Sequence, residues 1–351
     1  MLTIDGSRYS GSGTIVRQAV ALAALTGRPI HLVNARAKRD KPGLRPQHIR
    51  VVEAIAELVH GRTEGLTQGS QEFTFSPGPL KTGRHYSWDI GSAGSTTMLA
   101  LGILPVLAFA GSRVTVELRG GLFQDFAPSA FHLQQVLLPL LQRMGLQSEV
   151  DIERPGYVPR GDGILRLAVN PLTAPFKAIT ADELSPVTRI WGIALSSHLE
   201  KRRVNERMAE TARDVLAREG HRIEIELRND TRSLQRGAAL ALFADRGRTV
   251  RLGADRAGAL RRSAESIGKY GARQLLDELR SGATIDRFAA DQLIPFAAMA
   301  AGKSRCLIPM VTDHVRTSAW LAQEFLGAQV HIDGQQLAIQ GVGFWPNRSR
   351  P

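Results

Sequence analysis

The chain has 351 residues, 43% of them hydrophobic, which suffices for a packed core and, on the usual size of domains, for two domains. Its 45 basic and 33 acidic residues leave a formal charge of +12, which favours a polyanionic partner such as nucleic acid, although a solvated basic surface gives the same composition. The longest apolar run, residues 98–110, contains Gly102 and Pro105 and is shorter than the ~20 residues that span a bilayer, so we expect no membrane segment.

The cellular compartment is indicated by the first residues and by the cysteine content. The N-terminus has neither a basic leader nor an apolar signal stretch. Cys306 is the single cysteine, which cannot form an internal disulfide and suits a reducing compartment. Its apolar neighbours predict a buried strand position rather than a nucleophile. We therefore expect a cytoplasmic protein.

The first predicted unit opens with a Gly/Ser loop at residues 10–13. A helix with apolar residues at helical spacing runs from Thr14 to Leu25 and stops at Gly27. A strand over residues 29–34 and a second helix from about Pro46 to Val59 follow. The Gly/Ser loop precedes a helix, where free backbone amides attract an anion or are simply capped.

The connection between that strand and the second helix, residues 36–48, is strongly basic. Arginine presents a planar fork that can grip two oxygens of a terminal phosphate or of a polynucleotide backbone. A solvated basic loop is the alternative. The candidate anion-binding residues are Arg17, Arg36, Arg39, Lys41, Gln47 and His48.

The same order of elements recurs twice. A second Gly/Ser loop, residues 91–95, opens an apolar helix that ends at Gly111 and is followed by a strand over 113–118 and a helix over 127–144. In the third copy, a helix runs from Asp291 to Gly302. A strand over 304–307 and a helix from about His314 to Phe325 complete it.

The interval between Gly111 and Gly302 is longer than that between Gly27 and Gly111 by about 100 residues, the size of a small domain. The extra stretch has its own alternating pattern, with strands predicted over 189–196, 222–227, 237–244 and 249–252 and helices over 203–219 and 257–279. We therefore predict an α/β (α+β) fold. It consists of a large domain of three repeated βαβα-type modules, residues 1–180 and 283–351, and a smaller inserted α/β domain, residues 181–282.

The residues with most chemical meaning lie in the third copy. A neutral imidazole such as that of His314 can attack phosphorus and hold the product covalently. Asp291 and Gln292, placed near a helix start, can face a nucleotide. A helix-capping or core histidine is the alternative. Neither a dinucleotide fingerprint nor a Walker loop is complete, because Val16 and Ala297 stand where each motif needs a glycine.

Taken together, these segments resemble the RNA 3′-terminal phosphate cyclases over nearly the whole chain. Each segment alone is unspecific, but their order and spacing are specific. The matching segments are residues 5–17, 36–48, 90–95, 156–163, 291–293 and 312–318.

The resemblance implies an ATP-dependent ligase reaction in three steps. His314 attacks the α-phosphate of ATP, expels pyrophosphate and retains AMP; AMP passes to an RNA 3′-phosphate; the ribose 2′-hydroxyl then displaces it to leave a 2′,3′-cyclic phosphate. It also implies a divalent metal, Mg or Mn, and it assigns site residues. The implied ATP-binding residues are Leu101, Phe288, Ala289, Ala290, Asp291 and Gln292. The implied RNA phosphate-binding residues are Arg17, Arg36, Arg39, Lys41 and Gln47.

The chain also departs from the family pattern. Ser10 stands where the family usually has an acidic residue associated with the metal, and Leu101 replaces a polar residue near the nucleotide. Asp162 interrupts a triple-glycine signature, and Phe123 occupies an often polar position. A non-catalytic, RNA-binding assembly factor is therefore the alternative function. A third hypothesis is a transferase acting on a small phosphorylated metabolite, since enolpyruvyl transferases use a similar repeated-module fold. The sequence does not fix the oligomeric state.

Overall fold

A computed structural model of the chain describes residues 1–247 and 250–346. Those residues form α-helices and four four-stranded sheets of mixed strand direction, which confirms the predicted α/β (α+β) class. Within these two ranges no helix is both long and apolar enough to cross a membrane. Thr249, where one strand was predicted to begin, and residues 347–351 of the predicted large domain lie outside the described residues.

The first module contains one sheet and two helices. Its elements are β1 (Leu2–Asp5), α1 (Gly13–Thr26), β2 (Ile30–Val33), α2 (Pro46–Leu58), β3 (Arg62–Glu64) and β4 (Phe73–Ser76). The strand order is β1-β2-β4-β3, in which β1 and β2 are parallel and the other neighbours are antiparallel.

The second module repeats this arrangement. Its elements are β5 (His85–Asp89), α3 (Thr96–Leu107), β6 (Val114–Gly120), α4 (Ala130–His132), α5 (Leu138–Arg143), β7 (Ser148–Arg154) and β8 (Gly163–Val169). A π-helical segment, Leu133–Leu137, joins α4 to α5. The strand order is β5-β6-β8-β7, with β5 and β6 parallel.

The third module begins at β9 (Thr180–Ala181) and is then interrupted. The intervening elements are β10 (Val187–Ser197), a 3-10 turn at Glu200–Arg202, α6 (Val204–Ala217), β11 (Glu224–Asp230), β12 (Gly237–Arg246), β13 (Val250–Ala257) and α7 (Ala264–Arg280). Their sheet has a different order, β11-β10-β12-β13. Apolar residues of this sheet, α6 and α7 form a hydrophobic cluster of their own, including Met208, Leu242 and Leu275.

The chain then returns to the third module. The remaining elements are α8 (Arg287–Met299), β14 (Ala301–Leu307), α9 (Asp313–Leu326), β15 (Gln329–Asp333) and β16 (Gln336–Val342). β9 pairs in parallel with β14 across the interruption, and the strand order β9-β14-β16-β15 matches the first two modules. Three topologically equal modules and one insertion are therefore observed. The division into domains after residues 180 and 282 stays a prediction.

Side-chain caps explain several helix starts. Ser12, Asp286 and Thr312 have extended backbones, and their side-chain oxygens accept hydrogen bonds from amides in the first turns of α1, α8 and α9. Each cap satisfies amides that have no partner inside the helix. At the other end of α1, Gly27 has φ 67°, the left-handed conformation that glycine adopts without strain.

Several predicted boundaries were wrong. The helix predicted to reach Gly111 ends at Leu107, and Gly302 lies inside β14 rather than at a helix end. Asp291 lies in the second turn of α8 and not at its start. The side chain of Asp286 caps the helix, so α8 begins at Arg287, before the predicted start at Asp291. The last helix of the insertion begins at Ala264, since the preceding residues through 257 belong to β13.

The position of α1 determines where a site can form. Every residue of α1 from Gly13 to Leu25 is buried, as expected for a helix in the protein interior. α2, α3 and α9 pack against it. Its first turns therefore lie inside the protein, beside the start of α9.

Candidate active site

A cavity of about 510 Å³ lies where the first turns of α1, α8 and α9 meet. Thr14 and Arg17 reach it from α1, Asp291 from α8, and His314 from α9. A depression of similar volume, about 530 Å³, lies on the face of the second sheet and is lined by exposed strand residues such as Glu149. Only the first brings the predicted histidine together with cationic side chains, so we assign the candidate active site there.

His314 lies in the first turn of α9 and is held by the first turn of α1. Its Nδ1 atom is 3.0 Å from Thr14 Oγ1, and Arg17 Nη2 donates to the same hydroxyl oxygen at 3.4 Å. A hydroxyl oxygen has two lone pairs and can accept from both. When Nδ1 carries the proton and donates it to Thr14, Nε2 is unprotonated and its lone pair is available. No pattern in the sequence indicates Thr14 as a partner of His314.

The imidazole is neutral at physiological pH. Burial, and then the positive charges of Arg17 and Arg39, lower the pKa of His314 from 6.5 to about 4, and the charge of Asp313 opposes this change. Neutral imidazole carries the lone pair needed by a nucleophile, whereas imidazolium does not. The cationic surroundings therefore keep His314 in its reactive form.

Arg17 and Asp291 form the buried electrostatic centre of the site. Burial lowers the pKa of Arg17 to about 10, although Asp291 raises it, so the guanidinium stays charged. Burial raises the pKa of Asp291 to about 7, with Arg17 opposing that change. Gln292 Nε2 donates to the Asp291 carboxylate at 2.5 Å. A carboxyl group with this pKa can accept or donate a hydrogen bond near pH 7.

The basic loop contributes unequally to the cavity. Arg36 and Arg39 line it, together with Gln47. Arg36 has φ 57° and donates to the carbonyl oxygens of Lys41 at 2.9 Å and Gly43 at 2.6 Å, so it also holds the loop in shape. Lys41 is exposed and does not line the cavity. The structure therefore separates Lys41 from the other predicted phosphate-binding residues.

Gln47 and His48 connect the loop to its neighbours. Gln47 Oε1 accepts from the Ser95 amide at 3.0 Å, which ties α2 to the second Gly/Ser loop. His48 Nδ1 accepts from the Arg45 amide at 3.2 Å. Burial, and then the charge of Arg36 and other arginines, lowers the pKa of His48 to about 3. Both histidines of the cavity, His48 and His314, are therefore neutral.

The residues predicted to contact adenosine are only partly brought together. Phe288, Asp291 and Gln292 line the cavity. Ala289 and Ala290 are buried in α8 and do not line it. Leu101 lies in a small adjoining pocket with Arg17 and Gln292.

Comparisons with known proteins show which family the chain belongs to. A family model described as RNA 3′-terminal phosphate cyclase matches residues 8–332. The chain is similar to the RNA 3′-terminal phosphate cyclase of Pyrococcus furiosus, at 35% identity over 334 residues, which cover 95% of this chain and 96% of that protein. It is similar to that of Hyperthermus butylicus, at 38% identity over an alignment of 361 positions, which covers 99% of this chain and 100% of that protein.

The chain belongs to the RNA 3′-terminal phosphate cyclase family. The resemblance inferred from the sequence is thereby confirmed, and the chain is an enzyme of the cyclase type. A solved structure of the enolpyruvyl transferase NikO from Streptomyces tendae matches 97% of this chain and 51% of that chain at 13% identity. Its TM-score of 0.25 carries no structural argument.

In this member of the cyclase family, Ser10 does not provide a free metal ligand. Its hydroxyl oxygen accepts from Thr317 at 2.9 Å and from Ser12 at 3.1 Å. Among residues 1–247 and 250–346, no group of three or more His, Cys, Asp or Glu side chains is placed to hold a metal ion. Of the cavity carboxylates, Asp125 is paired with arginines and Asp291 lies beside Arg17. These donors do not fit a protein-bound divalent cation.

The other departures from the family pattern have structural roles. Phe123 is buried and stacks on Tyr157 with 5.6 Å between ring centroids. Asp162 has φ 53° and pairs with Arg160 at 3.3 Å, so it occupies a backbone conformation that usually favours glycine. Cys306 is buried in β14, as predicted, and burial raises the pKa of its thiol to about 12.

The cyclase has a buried polar pair, His132 and Asp286, next to Phe288, which no pattern in the sequence indicates. His132 Nε2 lies 2.9 Å from Asp286 Oδ2, and neither side chain is exposed. The charge of Asp286 overcomes burial and raises the pKa of His132, while the same pairing lowers the pKa of Asp286. Asp286 also accepts from the Gly253 amide of β13 at 2.9 Å, and the ring of His132 meets Phe288 edge-on. The insertion is thus bonded directly to the start of α8.

Proposed function

We propose that this chain uses ATP to convert an RNA 3′-terminal phosphate into a 2′,3′-cyclic phosphate through a covalent adenylyl group on His314. The observation that carries the proposal is a neutral, hydrogen-bonded imidazole in a cavity lined by Arg17, Arg36 and Arg39. Its relatives are named as cyclases of RNA 3′-terminal phosphates, and the formal charge of +12 suits an RNA substrate.

The first step is attack on the α-phosphorus of ATP. The free Nε2 lone pair of His314 forms the N–P bond while the bond from phosphorus to the pyrophosphate oxygen breaks, and pyrophosphate leaves with that electron pair. Nδ1–H remains hydrogen-bonded to Thr14, which orients the ring and disperses the positive charge that it acquires. Arg17 stabilises charge on the phosphoryl oxygens from its fixed, buried position.

The adenosine would lie beside the first turns of α8. Phe288 offers an aromatic face, while Gln292 and Asp291 offer hydrogen-bonding groups. The pKa of Asp291 near 7 allows its carboxyl group to serve as donor or acceptor. Leu101, in the adjoining pocket, would contribute an apolar contact rather than a polar one.

The second and third steps take place at the RNA end. An oxygen of the RNA 3′-phosphate attacks the adenylyl phosphorus, the N–P bond breaks, and its electron pair returns to His314. The ribose 2′-hydroxyl then attacks the 3′-phosphorus and gives its proton to solvent, while the bond from that phosphorus to the bridging oxygen breaks and AMP leaves with the electron pair. Arg36 and Arg39, which line the cavity, would neutralise the 3′-phosphate so that one anion can approach another.

We assign no residue to a metal. Mg²⁺ is commonly held by one or two carboxylates and substrate phosphates. Here Asp125 is paired with arginines, and Asp291 lies beside Arg17. No step above depends on a protein-bound metal ion, and Mg²⁺ or Mn²⁺ would be supplied in assays as the salt of ATP.

The test is cyclisation of a short RNA bearing a 3′-phosphate in the presence of ATP. The wild-type protein should yield a 2′,3′-cyclic end and AMP, and His314→Ala should yield neither. His331→Ala, an exposed histidine on β15, is the matched control and should retain activity. Cyclisation by His314→Ala at the wild-type rate, or RNA binding without any turnover by the wild type, would overturn the proposal.

A further inference from the structure

Phe126 is the most exposed large apolar side chain in the described part of the protein, at 101% relative exposure. Its backbone has φ 66°, a left-handed conformation that is uncommon for a bulky residue. The residue also lines the mouth of the candidate active site. An aromatic ring held in solvent by a strained backbone costs free energy, and such strain concentrates at functional sites.

The residues on either side of Phe126 are firmly anchored. The carboxylate of Asp125 receives two hydrogen bonds from Arg262, at 2.7 and 3.1 Å, and lies 3.2 Å from Arg256 Nη1. On the other side, the carbonyl oxygen of Pro128 accepts from Thr97 at 2.7 Å. Because Asp125 on one side and Pro128, two residues further along, are both hydrogen-bonded, the short segment that contains Phe126 is held in place at both ends.

The surroundings of Phe126 indicate what its ring would meet. The cavity that it borders contains Arg36 and Arg39, whose chemistry suits a phosphate, and Phe288, which is only partly exposed inside the cavity. Aromatic faces stack on nucleobases regardless of base identity, and aromatic side chains beside cations are typical of single-stranded nucleic acid sites. A nucleotide with its phosphate toward the arginines would extend its base toward the mouth.

We propose that Phe126 stacks on the nucleobase of the 3′-terminal nucleotide of the RNA substrate. This inference rests on the proposed function. RNA is favoured over the adenine of ATP because ATP can be enclosed within the cavity beside Phe288, whereas an RNA chain has to leave it through the mouth. Stacking there would place the 2′-hydroxyl and 3′-phosphate in a fixed orientation without reading the sequence.

The experiment measures two reactions separately with Phe126→Ala, Phe126→Trp and the wild type. One is the formation of the protein–AMP adduct from ATP alone; the other is cyclisation as a function of RNA concentration. Leu184→Ala, another exposed apolar residue that does not line the cavity, is the matched control. A second RNA lacks the base of its terminal nucleotide but keeps the ribose and the 3′-phosphate.

The proposal predicts that Phe126→Ala raises the KM for RNA about tenfold, as expected for loss of one base–aromatic stack, while adduct formation is unchanged. Phe126→Trp and Leu184→Ala should resemble the wild type. The abasic RNA should raise the wild-type KM by a similar factor and should affect Phe126→Ala little further, because the same contact is already missing.

Two results would overturn the assignment. One is an unchanged KM for RNA in Phe126→Ala while the wild type cyclises normally. The other is a loss of adduct formation from ATP alone in Phe126→Ala, which would assign the ring to adenine instead. Absence of both adduct and cyclisation in the wild type would refute the proposed function itself, so the two failures are distinguishable.

Discussion

The protonation state of His314 gives a prediction that needs no substrate. With a pKa of about 4, the imidazole would be only about 3% protonated at pH 5.5, whereas with the ordinary value of 6.5 it would be about 90% protonated. The ring resonance of His314, identified by its absence in His314→Ala, should therefore hardly move in an NMR titration from pH 8 to pH 5.5.

Substitutions that remove one charge test the physical cause of the lowered pKa of His314. Arg39 is exposed and lowers the pKa of His314, so Arg39→Ala should raise the midpoint; Asp313 raises it, so Asp313→Asn should lower the midpoint. Each shift should be roughly 0.3–1 pH unit, the size expected for partly screened charges. Since burial is the largest cause, neither variant should return to 6.5. A wild-type midpoint near 6.5, or shifts in the opposite directions, would refute the reasoning.

Three further predictions concern the surroundings of the histidine. Thr14→Val should slow single-turnover adenylylation by about tenfold through loss of the Nδ1 hydrogen bond, whereas Thr14→Ser should not; equal rates would contradict the assigned ring orientation. Asp286→Asn should lower the urea unfolding free energy by about 3 kcal/mol, because it leaves His132 buried without its charge partner. That loss should be largest between pH 4 and 6.5: the contribution of Asp286, whose pKa is lowered from 3.8, disappears as the pH falls through its folded value, and that of His132, whose pKa is raised from 6.5, disappears as the pH rises through its own. An unfolding free energy independent of this substitution would show that the pair is not charged. Gly13→Ala would make a Cβ collide with the imidazole of His48 and should lower the melting temperature more than Gly27→Ala, where the Cβ meets open space but φ is +67°; the reverse order would argue against the packing at α1.

Much of the fold could be predicted from the sequence because the same order of loop, helix and strand patterns recurs along the chain. Gly27 ends α1, as the pattern predicted, and the three predicted copies of strand and helix correspond to three sheets of the same strand order. The start of α8 differs from the predicted one, because the apolar pattern near Asp291 does not show where the helix is capped. Asp286, followed by Arg287, was the available signal, since aspartate is a preferred N-cap.

The site was only partly predictable, because its contacts join residues far apart in sequence. His314, Arg17 and Asp291 could be proposed as site residues from residue type and resemblance. The sequence could not show that all three line the same cavity. The bond between Thr14 and His314 spans 300 residues. Charge and family resemblance group Lys41 with the phosphate-binding residues, but in the structure it is exposed and does not line the cavity. Phe126 had no sequence signal at all, since its importance lies in exposure and backbone conformation.

The central claim is that His314 receives an adenylyl group from ATP. The most direct test is the intact mass of the protein after exposure to ATP, followed by fragmentation to locate any added group. The account predicts one added AMP on His314, absent from His314→Ala and released when RNA with a 3′-phosphate is supplied. An unmodified protein, or AMP attached to another residue, would contradict it.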